Sequence, residues 1–183
     1  MNRQLRTLAA AVALLAGLGR GAALGAEVAG ARAAGPSAAI VTVLDTPPAA
    51  SEVEMSLLEL ANGDRVRNGL APAEPDLALL EIARARAEAQ LGLPALSHYD
   101  GSGQLAITRL LAAAGLGYTL VGENLARSSG ADLSALELVE QAFMNSPAHR
   151  QNILEPSFNR LAIGAAFDDS GRVTFAEIFR ATP

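Results

Sequence analysis

The chain has 183 residues, a formal net charge of −5 and a pI near 5.0, which leaves no basic footprint of the kind nucleic-acid binding requires. It contains no cysteine, so disulfides and thiol chemistry are excluded. Half of it is apolar but only 4% is aromatic, so a core must rest on Leu, Ala, Val and Ile in one domain plus a short extension.

Residues 1–26 read as a targeting segment. Arg3 and Arg6 precede an uncharged apolar run from Leu8 to Leu18, and the small residues Ala22, Ala23, Gly25 and Ala26 follow. The run falls short of the roughly 20 residues that cross a bilayer, so it is predicted to be a secretory signal peptide. The mature protein is then expected to be secreted, extracellular or periplasmic, with no membrane span, and the lack of cysteine excludes lipobox attachment. Residues 27–50 are rich in Ala, Gly and Pro, with Pro36, Pro47 and Pro48, and read as a linker that cannot offset its own ordering entropy. The β-branched run Ile40–Leu44 within it has two readings, an edge strand docked on the domain or part of the linker.

The folded domain is predicted over 51–183. Ser51 with Glu54 forms a capping-box pattern, and Val53, Leu57, Leu58 and Leu60 open a helical stripe that Asn68-Gly69 ends. A second helix starts near Asp76, with Leu77, Leu80, Ala83, Ala87 and Leu91 as its apolar face and Glu81, Arg84 and Glu88 outside; Gly92 and Pro94 stop it. A third helix is expected over Ser102–Ala114, carrying Leu105, Leu110 and Leu111 inward. Tyr118–Val121 reads as a strand leading into a Gly122-Glu123-Asn124 turn. A fourth helix over Leu133–Asn145 presents Leu136, Val139, Ala142 and Phe143. Ser146 is placed to cap a short helix beginning at Pro147. Two strands, about Arg160–Phe167 and Arg172–Phe179, flank an Asp168–Gly171 hairpin turn. Helices interleaved with a few mostly antiparallel strands, without a βαβ repeat, make the class α+β.

Both histidines of the chain stand in compact polar words: Ser97-His98-Tyr99-Asp100, and Ser146-Pro147-Ala148-His149-Arg150-Gln151-Asn152-Ile153-Leu154. Gly122-Glu123-Asn124 lies between them. These words in this order, with Arg109 between the first two, resemble the CAP superfamily of cysteine-rich secretory proteins, antigen 5 and plant pathogenesis-related proteins, in a cysteine-free bacterial form. The resemblance runs from about Met55 to Phe179 and includes Arg65, Asn68-Gly69-Leu70 and the closing hairpin. It implies an α–β–α sandwich, with a small mostly antiparallel sheet between helical layers. It also implies that His98 and His149 converge in one central cleft with Glu123 beside them.

Some members hold a divalent metal in that cleft. Here the resemblance implies His98 and His149 as the ligands of an ion such as zinc, with no cofactor required. Imidazole binds zinc at about 2.0–2.1 Å, but closed sites use four ligands, so two histidines predict weak binding. The other reading has both histidines bonding loop backbone. Glu123 has two roles open to it, a general base on a metal-bound water or a tie that fixes neighbouring loops, with Asn124 tying the other side. The family's second cleft acid is missing, since the corresponding positions read Phe143-Met144-Asn145-Ser146. Phe143 stands for the usual Trp, Ala148 for the usual Gly, and Glu177 for a common Gln. Strand alternation leaves Glu177 facing either the cleft or outward. Tyr99 is expected on the cleft wall, and Arg150 and Asn152 are expected to tie the second histidine's helix to neighbouring backbone.

Neither Ser97 nor Ser146 sits in a nucleophile elbow, so serine catalysis is set aside. The reading that follows is a binding or interaction module whose partner is an extracellular ligand, lipid or protein. The alternative is a metal-assisted hydrolase of peptides or cell-envelope material with Glu123 as base.

Overall fold

The structure, a computed structural model, describes residues 6–9 and 50–182. The rest of the predicted signal peptide and linker, including Ile40–Leu44, lies outside the described residues. In chain order the elements are β1 (Arg6–Ala9), α1 (Ala50–Arg67), β2 (Glu74–Pro75), α2 (Leu77–Glu88), α3 (Ala106–Ala113), β3 (Leu120–Ser128), α4 (Leu133–Asn145), α5 (Pro147–Ile153), β4 (Arg160–Phe167) and β5 (Val173–Ala181). The strands form one sheet in the order β1-β3-β5-β4-β2. The β3–β5 and β4–β5 pairs are antiparallel, while β1 and β2 run parallel to their neighbours at the two edges.

Alternation along β3, β4 and β5 sorts the core into two layers. Leu161, Ile163, Phe175 and Phe179 face α1, α4 and α5, where Leu57, Leu136, Phe143 and Ile153 cover them. Val121, Ala162 and Ile178 face α2 and α3 on the other side, against Leu79, Ala83, Ile107 and Leu111. This is the α–β–α sandwich the resemblance implied.

Two contacts fix the layers. Gly164 on β4 lies so close to α2 that a Cβ would meet the Ala83 carbonyl carbon at 2.1 Å. Only glycine permits that approach. Arg65, fully buried on α1, donates to the carbonyls of Ala71, Ile153, Glu155 and Phe158. Through Ile153, Glu155 and Phe158 it holds the chain leaving α5 against α1.

Several expectations are corrected. Helix α1 already includes Ala50, so Ser51 lies within the helix. Glu54 does not close a capping box; it is buried and accepts from Arg84 and from the Ala165 amide. The inward face of α2 is Leu79, Ile82, Ala83, Arg86 and Ala87, and Leu77 is exposed. Asp76 caps this helix by accepting from the Ala78 and Leu79 amides, so the start near Asp76 is as expected and only the face is rotated. Helix α3 begins only at Ala106, because Asp100 Oδ1 draws the Ser102 and Gln104 amides into a turn. Gly122-Glu123-Asn124 is not a turn but the middle of β3, whose strand continues to Ser128. Arg150 is exposed.

Candidate functional site

The strand setting of Gly122-Glu123-Asn124 sends successive side chains to opposite faces of the sheet. Glu123 pairs with Ile178 in register and turns toward α2; Asn124 pairs with Glu177 and turns toward α4 and α5. Each histidine word meets this strand from its own side.

On the α2 side, Arg86 and Glu123 form a buried, two-pronged ion pair. Arg86 Nε donates to Glu123 Oε1 at 2.7 Å and Nη2 to Oε2 at 3.1 Å. Arg86 Nη2 also donates to the Ser97 carbonyl at 2.7 Å, as does Gln90 Nε2 at 3.1 Å. Arg86 thereby anchors the loop that carries the first histidine. His98 Nδ1 lies 2.7 Å from Glu123 Oε2. A carboxylate engaged by a guanidinium only accepts, so Nδ1 carries a hydrogen, and the neutral ring has its lone pair on Nε2. Both oxygens of Glu123 are committed, and its side chain is 2% exposed. It fixes the tautomer and orientation of His98, as carboxylates behind metal-ligating histidines do.

On the opposite side, α5 carries His149 against Phe143, edge to face with centroids 5.1 Å apart. Asn124 Nδ2 donates to the His149 carbonyl at 3.3 Å and to Glu177 Oε2 at 3.0 Å. Asn152 Nδ2 donates to Asn124 Oδ1 at 2.9 Å and to the Glu123 carbonyl at 3.3 Å. Asn152 reaches β3 because Gly122 has no side chain; a Cβ there would sit 2.7 Å from Asn152 Oδ1. Burial, with the nearby His98 adding repulsion, pushes His149 down to about 4, so its ring is neutral at physiological pH. Its Nε2 is buried and has no hydrogen-bond partner.

The structure thus ties Glu123 to His98 directly and Asn124 to His149 through backbone. Tyr99 is about half exposed and lines a groove of about 520 Å³ between α2, the 97–101 loop and α3, together with Gln90, Arg109 and Leu110. Arg109, at the groove's mouth, pairs with Asp100 at 2.9 Å. Glu177 is fully buried on the α4 side of the sheet, bonded to Asn124. Ser146 stands at the start of α5, but its side chain makes no capping bond and its hydroxyl is buried without a partner.

Two residues escaped the sequence reading. Arg86 was hidden by the misassigned face of α2; a face drawn through Ala83 and Ala87 passes over it. Glu140 lies four residues after Leu136 and three before Phe143, on the inward stripe of α4, and is buried. A charge on such a stripe was a legible signal.

His149 offers a buried, unpartnered Nε2, and His98 a ring whose Nδ1 is held by Glu123, so either side chain could serve as a metal ligand. Among the described residues no group of three or more His, Cys, Asp or Glu side chains is placed to hold a metal.

A curated relative, an uncharacterised Bacillus subtilis protein called YkwD, is 30% identical over 132 residues, covering 72% of this chain and 49% of the relative. The chain therefore spans about half the length of that relative. Among solved structures, an extracellular SCP-domain protein of Bacillus anthracis matches 72% of this chain and 41% of its own, at 23% identity and a TM-score of 0.61. An outer surface protein of Borrelia burgdorferi matches 72% of this chain and 94% of its own, at 19% identity and a TM-score of 0.63. These two establish the fold. The family model described as the cysteine-rich secretory protein family, CAP, matches residues 58–179, and the chain belongs to that family.

Proposed function

We propose that this is an exported binding domain whose two histidines form a weak divalent-metal or ligand cleft, not a hydrolase. The observation that carries this reading is the commitment of Glu123. Hydrolysis at such a cleft needs a base within reach of a metal-bound water. Glu123, the one carboxylate hydrogen-bonded to a histidine among the described residues, has each oxygen within 2.7 Å of Arg86 or His98. Its three accepted bonds, one on Oε1 and two on Oε2, hold a histidine in place.

Within this reading His98, through Nε2, and His149 hold the ion, which would polarise a carbonyl or phosphoryl group brought to it. Asn124 and Asn152 hold the helix of His149, and Arg86 holds the loop of His98. Partner recognition falls to the groove beside Tyr99 and Arg109, whose apolar floor and polar mouth suit an extracellular lipid or peptide. Glu177 contributes to the support of Asn124, not to the ion.

Calorimetric titration with zinc at pH 7.5 tests the proposal. Weak binding to the wild type is expected, abolished by His98→Ala or His149→Ala. No heat of binding, or binding that survives loss of either histidine, overturns it.

A further inference from the structure

Beneath the cleft, where α4 packs on the sheet, three acidic side chains converge. Glu140 comes from α4 and Glu177 from β5, and both are almost completely buried. Asp64 comes from α1, partly buried and paired with Arg67 at 2.8 Å. Glu177 Oε2 accepts from Asn124, but its Oε1 and both oxygens of Glu140 have no hydrogen-bond partner. Two isolated carboxylates in such a place would cost far more than the fold can supply.

The cations on the surrounding elements are engaged elsewhere. Arg65 on α1 is saturated by carbonyls, and Arg84 on α2 holds Glu54. His149 on α5 is neutral, and neither carboxyl hydrogen-bonds to it. On β4 the residue opposite Glu177 is Ile163, and on β3 it is Asn124, so neither neighbour supplies charge. A proton held between the two carboxyls removes the charge that their burial opposes and pairs two of the orphaned oxygens.

We propose that Glu140 and Glu177 are a proton-sharing carboxyl pair that latches α4 onto β5 in acid and neutral media and releases it as the medium turns alkaline. The shared hydrogen lies between a Glu140 oxygen and Glu177 Oε1, the face of Glu177 that Asn124 leaves free. Loss of that proton to hydroxide puts two negative charges and Asp64 into one apolar interface, and α4 is driven from the sheet. The same ionisation reaches α5, because Asn124 bonds both Glu177 and the His149 carbonyl. Burial, first of all, raises both acids well above the carboxylate range; the charge of Glu177 raises Glu140 further, while Asp64 raises Glu177 against the hydrogen bonds from Asn124 and Glu140 that hold it down.

The sign follows from proton counting. Between the unfolded value near 4.5 and the raised folded values, the folded chain holds protons that the unfolded chain has released. Stability therefore falls as pH rises through that interval. His149 acts in the opposite sense, and only below its unfolded value of 6.5. Above pH 7 His149 is silent, and the difference between the wild type and Glu140→Gln isolates the share of the slope that the carboxyl pair sets.

The test is thermal unfolding of the full chain from pH 7.0 to 9.5, for the wild type, Glu140→Gln and Glu177→Gln, with the infrared carbonyl band of a protonated carboxylic acid recorded at pH 7.0. The wild-type melting temperature is expected to fall steadily across the range, and Glu140→Gln to remove at least half of that fall. The protonated band is expected in the wild type and weakened in Glu140→Gln. A melting temperature that is flat or rises with pH, a Glu140→Gln variant with the wild-type slope, or a wild type without the band overturns the proposal. Should a variant fail to fold, the wild-type slope and band still decide.

Discussion

Glu123 shows how the ordering of partners sets what a residue can do. A carboxylate with two free lone pairs beside an imidazole is a base; the same carboxylate gripped by a guanidinium is a fixed dipole that selects a tautomer. Arg86 makes the difference, and removing it leaves a buried, uncompensated charge. Arg86→Ala is expected to cost about 3–5 kcal/mol of stability, as breaking one side of a buried ion pair does, measured by urea unfolding. A loss under about 1 kcal/mol would show that Glu123 finds water or another donor. His98, Glu123, Asn124 and His149 were legible because each sits in a short word whose identity survives any uncertainty about the fold. Arg86 was not, because α2 carries two arginines and only the rotation of that helix tells the inward one from Arg84, which turns to Glu54.

Between elements, the instructive departure is β3. Glycine followed by Glu and Asn reads as a turn from local preference, yet here the three residues form the strand that separates two layers. Pairing with β5 along nine residues outweighs the local signal, as sheet context often does. The glycine is there for Asn152 and not for a bend. Helix positions were read more accurately than helix faces, since stop signals such as Asn68-Gly69 and Ser146-Pro147 are local while the buried stripe of α2 depends on where β4 lies. Gly164 marks that docking: α2 rests on it backbone to backbone. Gly164→Ala is expected to force α2 from the sheet at about 3 kcal/mol or more, above the usual cost of overpacking because the obstacle is main chain. An unchanged melting temperature would mean that α2 can shift without loss.

Over the whole molecule, the two sheet faces serve two different tasks. The α2 and α3 face orients His98; the α1, α4 and α5 face buries His149 and the carboxyl pair. The layer order was legible from the resemblance of the ordered words, whereas the acid pair was not, because Glu140 and Glu177 are 37 positions apart (177 − 140) and meet only through folding. The N-terminal reading belongs to this scale too. If the leader directs export, N-terminal sequencing of protein recovered outside the cytoplasm will find a start between about Ala23 and Arg32, whereas intact Met1 on cytoplasmic protein would contradict it. The proposed cleft needs a His98 whose neutral ring is protonated on Nδ1 and a His149 held neutral by burial. Nitrogen chemical shifts of the two imidazoles between pH 4 and 8 test it most directly. In its neutral form His98 is expected to carry its hydrogen on Nδ1, a preference weakened in Glu123→Gln, and His149 is expected to stay neutral down to about pH 5. A His98 ring with hydrogen on Nε2 and not on Nδ1, or a His149 that titrates near 6.5, would contradict it.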